Sequence, residues 1–201
     1  LHELLPRELF DSHPEYFRLD TDGVRKKDYN MCFSSEEAYK EIEKNIDEIT
    51  KWLKPSTHRY FFWTDDVEHS FCSCDSCKKY SESEQALIFE NRLLTMLRKT
   101  DTLATIAHLA YGSTYNAPFN IKPSEGIFLE YAPINRDYTK PLSEEHLLNL
   151  EKNLQVFPKN TAHILEYWLD ASMFSKWDRK NLVKVRWNQN SCDRDVQYYS
   201  G

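Results

Sequence analysis

Strand-like apolar segments alternate with amphipathic helical segments along this sequence, and this alternation limits the fold more than any other feature. Strands that alternate with helices pair in parallel through right-handed crossovers, so the fold class is α/β. Apolar runs predict strands at 59–64, 102–110, 127–131, 161–169 and 182–187, with a short strand at 17–19. Helical spacing predicts helices that are capped by Ser34 and Ser143, and further helices over 83–99 and 193–199.

Two architectures fit this order, a doubly wound sheet and a (β/α)8 TIM barrel. The barrel is favoured because the predicted strands end in polar or acidic residues and not in a glycine-rich phosphate turn. Five main strands are predicted, whereas a complete barrel has eight. We therefore expect residues 1–201 to form one TIM-barrel-like domain, an incomplete barrel that is a piece of a longer chain.

Composition removes several classes of function. The net charge of −6 leaves no basic stripe for phosphates, so we expect no nucleic-acid partner. No apolar run approaches the roughly 20 residues of a membrane span. Only 4 glycines occur and no phosphate-binding loop is present, so no organic cofactor is predicted. Aromatic residues make up 14% of the chain, and such rings suit both protein cores and the faces of sugars.

Carboxylates follow the predicted strands at the positions where barrel enzymes bind their ligands. The aromatic run Tyr60–Trp63 leads directly into Asp65 and Asp66, although two adjacent aspartates are also typical of a solvated turn. Glycoside hydrolysis needs two carboxyl groups, or one carboxyl acid with help from the substrate. The predicted catalytic residues are Asp65, Asp66, Glu130 and Glu166.

Aromatic and acidic side chains near the strand ends predict a sugar subsite. In a strand over 161–169, Glu166, Trp168 and Asp170 have the same parity and would point to the same side. Trp63 and Tyr111 are the further predicted substrate-binding residues, at the ends of the first and second strands. The alternative for Trp168 is a core aromatic residue between solvent-facing carboxylates.

Cys72, Cys74 and Cys77 have C-x-C-x-x-C spacing, which allows three thiolates to bind one tetrahedral zinc ion. Cys32 is the preferred fourth ligand and His69 is the second choice. A structural zinc site, a disulfide and free thiols all remain open at this point. Each of them would hold the loop that follows the two aspartates, while Cys192 is unrelated.

Four features together resemble a bacterial family of unknown function that is grouped with TIM-barrel glycoside hydrolases. They are HPEYF at His13–Phe17, the helix entry at Cys32–Glu37, the strand that ends in acidic residues, and the cysteine cluster Cys72–Cys77. Members of that family are large and often exported. The resemblance implies a glycosidase-like barrel that acts on a polysaccharide in the periplasm or at the cell surface.

A shorter stretch, Phe61–Cys72, resembles the catalytic segment of the O-GlcNAc hydrolases. That resemblance implies that Asp65 orients the acetamido group of the substrate and that Asp66 is the general acid. Adjacent side chains on a strand point to opposite faces, so both roles require a kink where the strand ends. The alternative function is a non-catalytic carbohydrate-binding or scaffold domain with a barrel fold, because the fold alone does not decide activity.

Overall fold

The computed structural model describes residues 3–185 and 187–201, and it is a mixed α/β fold. Its strands are β1 (Arg59–Tyr60), β2 (Thr105–Ala110), β3 (Ile127–Tyr131) and β4 (His163–Ile164). Its α-helices are α1 (Glu36–Ile49), α2 (Glu82–Leu97), α3 (Glu144–Leu154), α4 (Ala171–Phe174) and α5 (Gln189–Ser200). Short 3-10 helices cover Arg7–Asp11, Pro14–Tyr16, Gly112–Thr114 and Lys159–Thr161.

The four strands form one parallel sheet in the order β1-β2-β3-β4, so that each strand pairs with the next one in the sequence. A doubly wound sheet reverses its strand order at a switch point, whereas a barrel continues in one direction. The observed order follows the barrel direction, and the sheet is a curled half-barrel. This agrees with the predicted incomplete barrel.

The two faces of the sheet have different neighbours because side chains alternate along each strand. Ile106 of β2, together with Leu129 and Tyr131 of β3, belongs to the hydrophobic core that also contains the buried residues of α1 and α2. Phe128 has the opposite parity, and its ring meets Phe61 edge-on with 5.8 Å between the ring centroids. The concave face of the half-barrel therefore carries its own aromatic contacts.

Local sequence signals explain the long helices. Ser81 and Glu84 form a capping box at the start of α2, in which Ser81 accepts from the Glu84 N–H and Glu84 accepts from the Ser81 N–H. Ser143 caps α3 as predicted. The apolar residues at helical spacing along α2 are buried, and they are Ala86, Phe89, Leu93 and Leu97.

The predicted cap of α1 is wrong by one residue. Ser35, not Ser34, is the N-cap, and its side chain accepts a hydrogen bond from the Ala38 N–H at 3.4 Å. The Ser34 hydroxyl lies against sulfur atoms instead, 3.3 Å from Cys32 Sγ and 3.5 Å from Cys74 Sγ. Its hydroxyl is therefore engaged by the cysteine cluster.

Several predicted strands are shorter than expected because they lose their neighbour. β1 stops at Tyr60, and beyond it the Asp65 N–H donates to the side chain of Asn30 at 2.9 Å. The predicted strand over 161–169 is reduced to β4, His163–Ile164. The shared parity of Glu166, Trp168 and Asp170 was inferred from a continuous strand, but the strand ends at Ile164, before all three residues.

Two short strand predictions are wrong in a similar way. The segment 17–19 makes only isolated antiparallel bridges, Phe17 to Met31 and Leu19 to Arg25. No strand is present at 182–185 or at Trp187, and Arg186 lies outside the described residues. The helix predicted over 193–199 is part of α5. Within the described ranges, no helix has the length and apolar character needed to cross a membrane.

Candidate functional site

A cavity of about 800 Å³ opens at the carboxyl ends of the four strands. This is the edge of the sheet at which barrel enzymes bind their ligands. Segments that follow each strand contribute to its wall: residues 63–68 after β1, 111–114 after β2, 134–139 after β3, and Tyr167 after β4. Four of the predicted site residues lie together here, namely Trp63, Asp65, Asp66 and Tyr111.

The two aspartates have different environments. Asp65 accepts from Arg7 Nη2 at 2.6 Å, and the Asp65 and Arg7 side chains are 17% and 21% exposed. Asp66 is exposed, and its Oδ2 accepts from the Tyr111 hydroxyl at 3.4 Å. Burial, together with the charge of Asp66, raises the pKa of Tyr111 to about 12. Tyr111 therefore keeps its proton and remains a donor to Asp66.

Glu130 lies on the concave face of the sheet. It is the register partner of Leu109, which lines the cavity, and paired residues of neighbouring parallel strands point to the same face. Its side-chain atom Oε2 is buried and has no hydrogen-bond partner among the described residues. Burial raises the pKa of Glu130 above its ordinary value. Glu130 is therefore a carboxyl group that holds its proton to higher pH.

Tyr167 connects Glu130 and Asp66 electrostatically. Burial raises the pKa of Tyr167, and the charges of Asp66 and Glu130 raise it further. The Tyr167 ring also lies near that of Tyr111, with the centroids 6.4 Å apart. The two tyrosines form an aromatic wall between the exposed carboxylate and the buried one.

Glu166 does not line the cavity and has structural partners. It accepts from Arg136 Nη1 at 2.8 Å and from the Tyr199 hydroxyl, and its side chain is 6% exposed. Arg136 also donates to Asp195 of α5 at 2.6 Å. Burial raises the pKa of Glu166, while Tyr199 and Arg136 act in the opposite direction. The carboxylate is thus part of a buried ion-pair cluster: Arg136, Glu166, Asp195 and Tyr199.

Trp168 and Asp170 also lie outside the cavity lining. The indole of Trp168 is half-buried and meets Trp187 edge-on, with 6.5 Å between the ring centroids. Asp170 is the N-cap of α4 and accepts from the N–H groups of Ser172 and Met173. The hydrogen bond from the Ser172 side chain lowers the pKa of Asp170. The predicted subsite of these two residues with Glu166 is therefore not assembled at the cavity.

Four cysteines meet beneath the loop that carries the aspartates. The sulfur atoms of Cys32, Cys72, Cys74 and Cys77 all lie within 4.8 Å of one another. Cys32 and Cys74 are 3.7 Å apart at their sulfur atoms, and none of the cysteines forms a disulfide in the described residues. His69 is not a member, because its side chain is 90% exposed. The cluster is compatible with a metal site.

Protons are shared unevenly among these thiols. Hydrogen bonds from Cys72 and Cys77 lower the pKa of the Cys32 thiol. The same interactions with Cys32 raise the pKa of Cys72 to about 11 and also raise that of Cys77. Arg25 lies beside the cluster, and although burial lowers its pKa, hydrogen bonding and charge from Cys32 raise it overall. Arg25 is therefore a permanent cation beside the four thiols.

Gln85, in the first turn of α2, supports the cysteine loop and was missed by sequence reasoning. Its Oε1 accepts from the Cys72 N–H at 3.2 Å, and its Nε2 donates to the carbonyls of Cys72, Cys77 and Tyr80 at 3.2–3.3 Å. Ligand residues in metal sites are commonly oriented by such neighbours. A glutamine so close after the last cysteine, in a predicted first helical turn, was the available signal.

Other cavity residues were missed for a geometric reason. Leu165 and Tyr167 line the cavity, whereas the sequence prediction chose the opposite parity, and a shift of one residue moves every side chain to the other face. Lys176 and Trp177 also contribute to the wall from the segment after α4. Neither residue belongs to a sequence pattern from which its place in the cavity wall could have been predicted.

The sequence places this chain within a recognised family. A family model described as "Domain of unknown function (DUF4838)" matches residues 1–173, and the chain belongs to this family. No curated protein matches the chain. No solved structure matches it either.

Proposed function

We propose that this domain is part of a TIM-barrel glycoside hydrolase that acts on a polysaccharide or glycan. The observation that carries the proposal is the aromatic-walled cavity at the carboxyl ends of the strands, into which Asp66 projects beside Tyr111. Trp63 and Tyr167 supply further aromatic surface to the same wall. Aromatic faces pack against the C–H groups of sugars, and a carboxyl acid is the group that glycosidic bond cleavage requires.

The roles of the carboxyl groups follow from their partners. Asp66 is the proposed general acid, since it is exposed at the cavity and, among the described residues, its carboxylate accepts a hydrogen bond from the Tyr111 hydroxyl. Asp65, held by Arg7 and by the Asn30 side chain, suits an orienting role toward a substrate amide. Glu130, whose pKa burial raises, is the proposed second carboxyl group.

A screen of the natural full-length protein against aryl glycosides and oligosaccharides tests this proposal. Hydrolysis of at least one substrate is expected, together with its loss in Asp66→Asn. Asp47→Asn is a matched control, because Asp47 is exposed on α1, away from the cavity lining. Hydrolysis that survives unchanged in Asp66→Asn would contradict the assignment of the acid.

A non-catalytic carbohydrate-binding domain is the second candidate. It is favoured by one observation, namely that Asp65 and Glu166 are both committed to arginine partners. In that case oligosaccharides would bind without being cleaved, and Tyr111→Ala would weaken binding. Calorimetry with oligosaccharides, run beside the hydrolysis assay, separates the two functions.

We also propose that the four-cysteine cluster holds a structural Zn²⁺. Zinc–thiolate bonds of about 2.3 Å place the sulfur atoms of a tetrahedral site about 3.8 Å apart. The Cys32–Cys74 separation of 3.7 Å fits this geometry. Four thiolate ligands leave no open position on the ion, so its contribution would be to stability and not to catalysis. Elemental analysis should give about one zinc per chain.

A further inference from the structure

The cysteine cluster joins two segments that are distant in the sequence. The Leu19 N–H donates to Cys72 Sγ at 3.3 Å, and the Ser73 N–H donates to the Leu19 carbonyl at 2.8 Å. The Cys32 N–H donates to the Tyr16 carbonyl at 2.9 Å. The segment that leads into α1 is therefore held against the loop before α2, around the four sulfur atoms.

One buried side chain connects this cluster to the aspartates. Asn30 is 0% exposed and lies two residues before Cys32. Its Oδ1 accepts from the Asp65 N–H at 2.9 Å, and its Nδ2 donates to Ser70 Oγ at 2.9 Å. Ser70 is itself buried and lies two residues before Cys72.

This amide side chain thus binds both ends of the loop 65–70, which carries Asp66. Asn30 and Ser70 each lie two residues before a cysteine of the cluster, Cys32 and Cys72 respectively. The loop also contains His69 with a φ of 56°, a conformation that non-glycine residues adopt only when their surroundings enforce it. The position of the loop therefore depends on fixed anchors on either side.

We infer that the four-cysteine cluster, when it binds a thiophilic metal ion, fixes Asn30 and thereby positions the loop that presents Asp66 to the cavity. Asn30 is a positioning residue in this scheme. The metal ion never touches the cavity, and its effect reaches Asp66 through two hydrogen bonds of one side chain. The coupling rests on the proposed zinc site, while its importance for catalysis also rests on the proposed hydrolase function.

Hydrogen exchange measured by mass spectrometry tests the inference without any substrate. Exchange of the reduced protein is measured with one equivalent of bound Zn²⁺ and again after the Zn²⁺ has been removed by a chelator. Exchange of peptides covering residues 62–71 should accelerate at least tenfold on chelation, while peptides from β2 and β3 keep their protection. Unchanged exchange of residues 62–71 in protein proven to have lost its zinc would overturn the inference.

Substitution of Asn30 provides an independent test of the inference, which remains usable if chelation unfolds the whole protein. Asn30→Ala should keep its zinc and yet show fast exchange at residues 62–71. Asn30→Asp should restore protection, because its carboxylate still accepts from the Asp65 N–H and the Ser70 hydroxyl can turn to donate to it. Asn45→Ala is the control, since the Asn45 side chain donates to the Leu4 carbonyl and, within the part of the chain that the structure describes, makes no hydrogen bond to the loop 65–70.

Normal protection of residues 62–71 in zinc-loaded Asn30→Ala would refute the positioning role. If a hydrolysed glycan has been found, Asn30→Ala should lower kcat by at least tenfold and change KM much less. If no glycan is hydrolysed, the exchange data still decide the inference. Failure of the proposed hydrolase function is therefore distinguishable from failure of the coupling.

Discussion

The Arg136 cluster and the cysteine cluster are both largely buried, and they differ in how their charges are balanced. The Arg136 cluster joins the loop after β3 to Glu166 and to Asp195 of α5, so a cation and its anions come from the chain itself. The cysteine cluster joins the segment before α1 to the loop before α2. Arg25 lies beside its sulfur atoms, and hydrogen bonding and charge from Cys32 raise the pKa of this arginine.

The difference indicates what each cluster needs in order to stabilise the fold. Buried charges must be paired, and the arginine cluster is paired as soon as the chain folds. If all four thiols lose their protons on binding a metal, one arginine leaves an excess of negative charge, most of which a divalent cation would offset. We therefore expect the first cluster to be insensitive to chelators and the second to depend on them.

Removal of the metal should give the largest effect. A ligand whose free concentration is about 1,000 times its Kd stabilises a protein by roughly 4 kcal/mol. Structural zinc commonly binds tightly enough to exceed this value. Chelation of the reduced protein should lower Tm by on the order of 10 °C at this chain length. Differential scanning fluorimetry with and without added Zn²⁺ measures the shift. Equal Tm values in zinc-loaded and zinc-free protein would remove the contrast between the clusters.

The arginine cluster should respond to mutation and not to chelation. Arg136→Met leaves Glu166 and Asp195 buried without their cation, and breaking such a pair costs about 3–5 kcal/mol. Arg92→Met is the control, because Arg92 pairs with Glu36 at the surface, where a pair contributes about 0–1 kcal/mol. Urea unfolding of both variants in chelator measures the two costs. Equal losses would show that burial does not distinguish the two ion pairs.

Substitution of Asp66 in the cavity should lower the catalytic rate and leave the unfolding free energy nearly unchanged. Asp66→Asn should reduce turnover of natural glycosidic linkages by about 10²–10⁴-fold, the usual contribution of acid catalysis. The loss should be smaller on aryl glycosides, whose leaving groups need little protonation. Its unfolding free energy should stay within about 0.5 kcal/mol of the wild type, as is usual for exposed positions. A large stability loss would place Asp66 with the structural carboxylates.

Trp168 tests whether the region around the arginine cluster has any binding role. Complete truncation of a buried tryptophan costs about 3–5 kcal/mol, and Trp168 is only half-buried, so we expect about 1–3 kcal/mol for Trp168→Ala. Oligosaccharide affinity should not change, because Trp168 is outside the cavity lining. Trp52→Ala, at a position 70% exposed, is the control. Weaker sugar binding with unchanged stability would restore the subsite that the sequence predicted.

Glu130 should give the smallest effect, visible as a pH dependence. Its folded-state pKa is raised, so the unfolded chain loses this proton first and the folded state loses relative stability as pH rises above about 4.3. The loss ends once pH exceeds the folded-state pKa. Glu130→Gln should therefore match the wild type near pH 4 and be more stable at pH 7. Parallel stability curves for the two proteins across this range would contradict a raised pKa.

Local signals in the sequence predicted the helices and the cysteine cluster well. Ser143 is a recognisable cap, and three cysteines within six residues must lie close together in any fold. Cys32 was chosen as the fourth ligand because it lies just before the helix that leads into the first strand of the sheet. The cap of α1 was predicted one residue too early because Ser34 and Ser35 have the same capping chemistry. In the structure the Ser34 hydroxyl contacts the sulfur atoms of Cys32 and Cys74, and Ser35 is the cap.

Strand lengths and carboxylate roles could not be predicted in this way. A strand continues only while a neighbour pairs with it, and β1 pairs with β2 only at Arg59 and Tyr60, while further along the chain the Asp65 N–H donates to Asn30. Glu166 and Asp66 look equivalent in sequence, but Arg136 and Tyr199 surround only the first. Carboxylates are common, so their role is decided by partners from distant segments.

The strand order described above has a consequence for biosynthesis. Since β1, β2, β3 and β4 pair in the order in which they leave the ribosome, each new strand can add to the free edge of the strand made just before it. No later strand has to insert between two earlier ones. The ion pair from Asp195 back to Arg136 can form only after all four strands have been made, so it would stabilise a sheet that has already assembled.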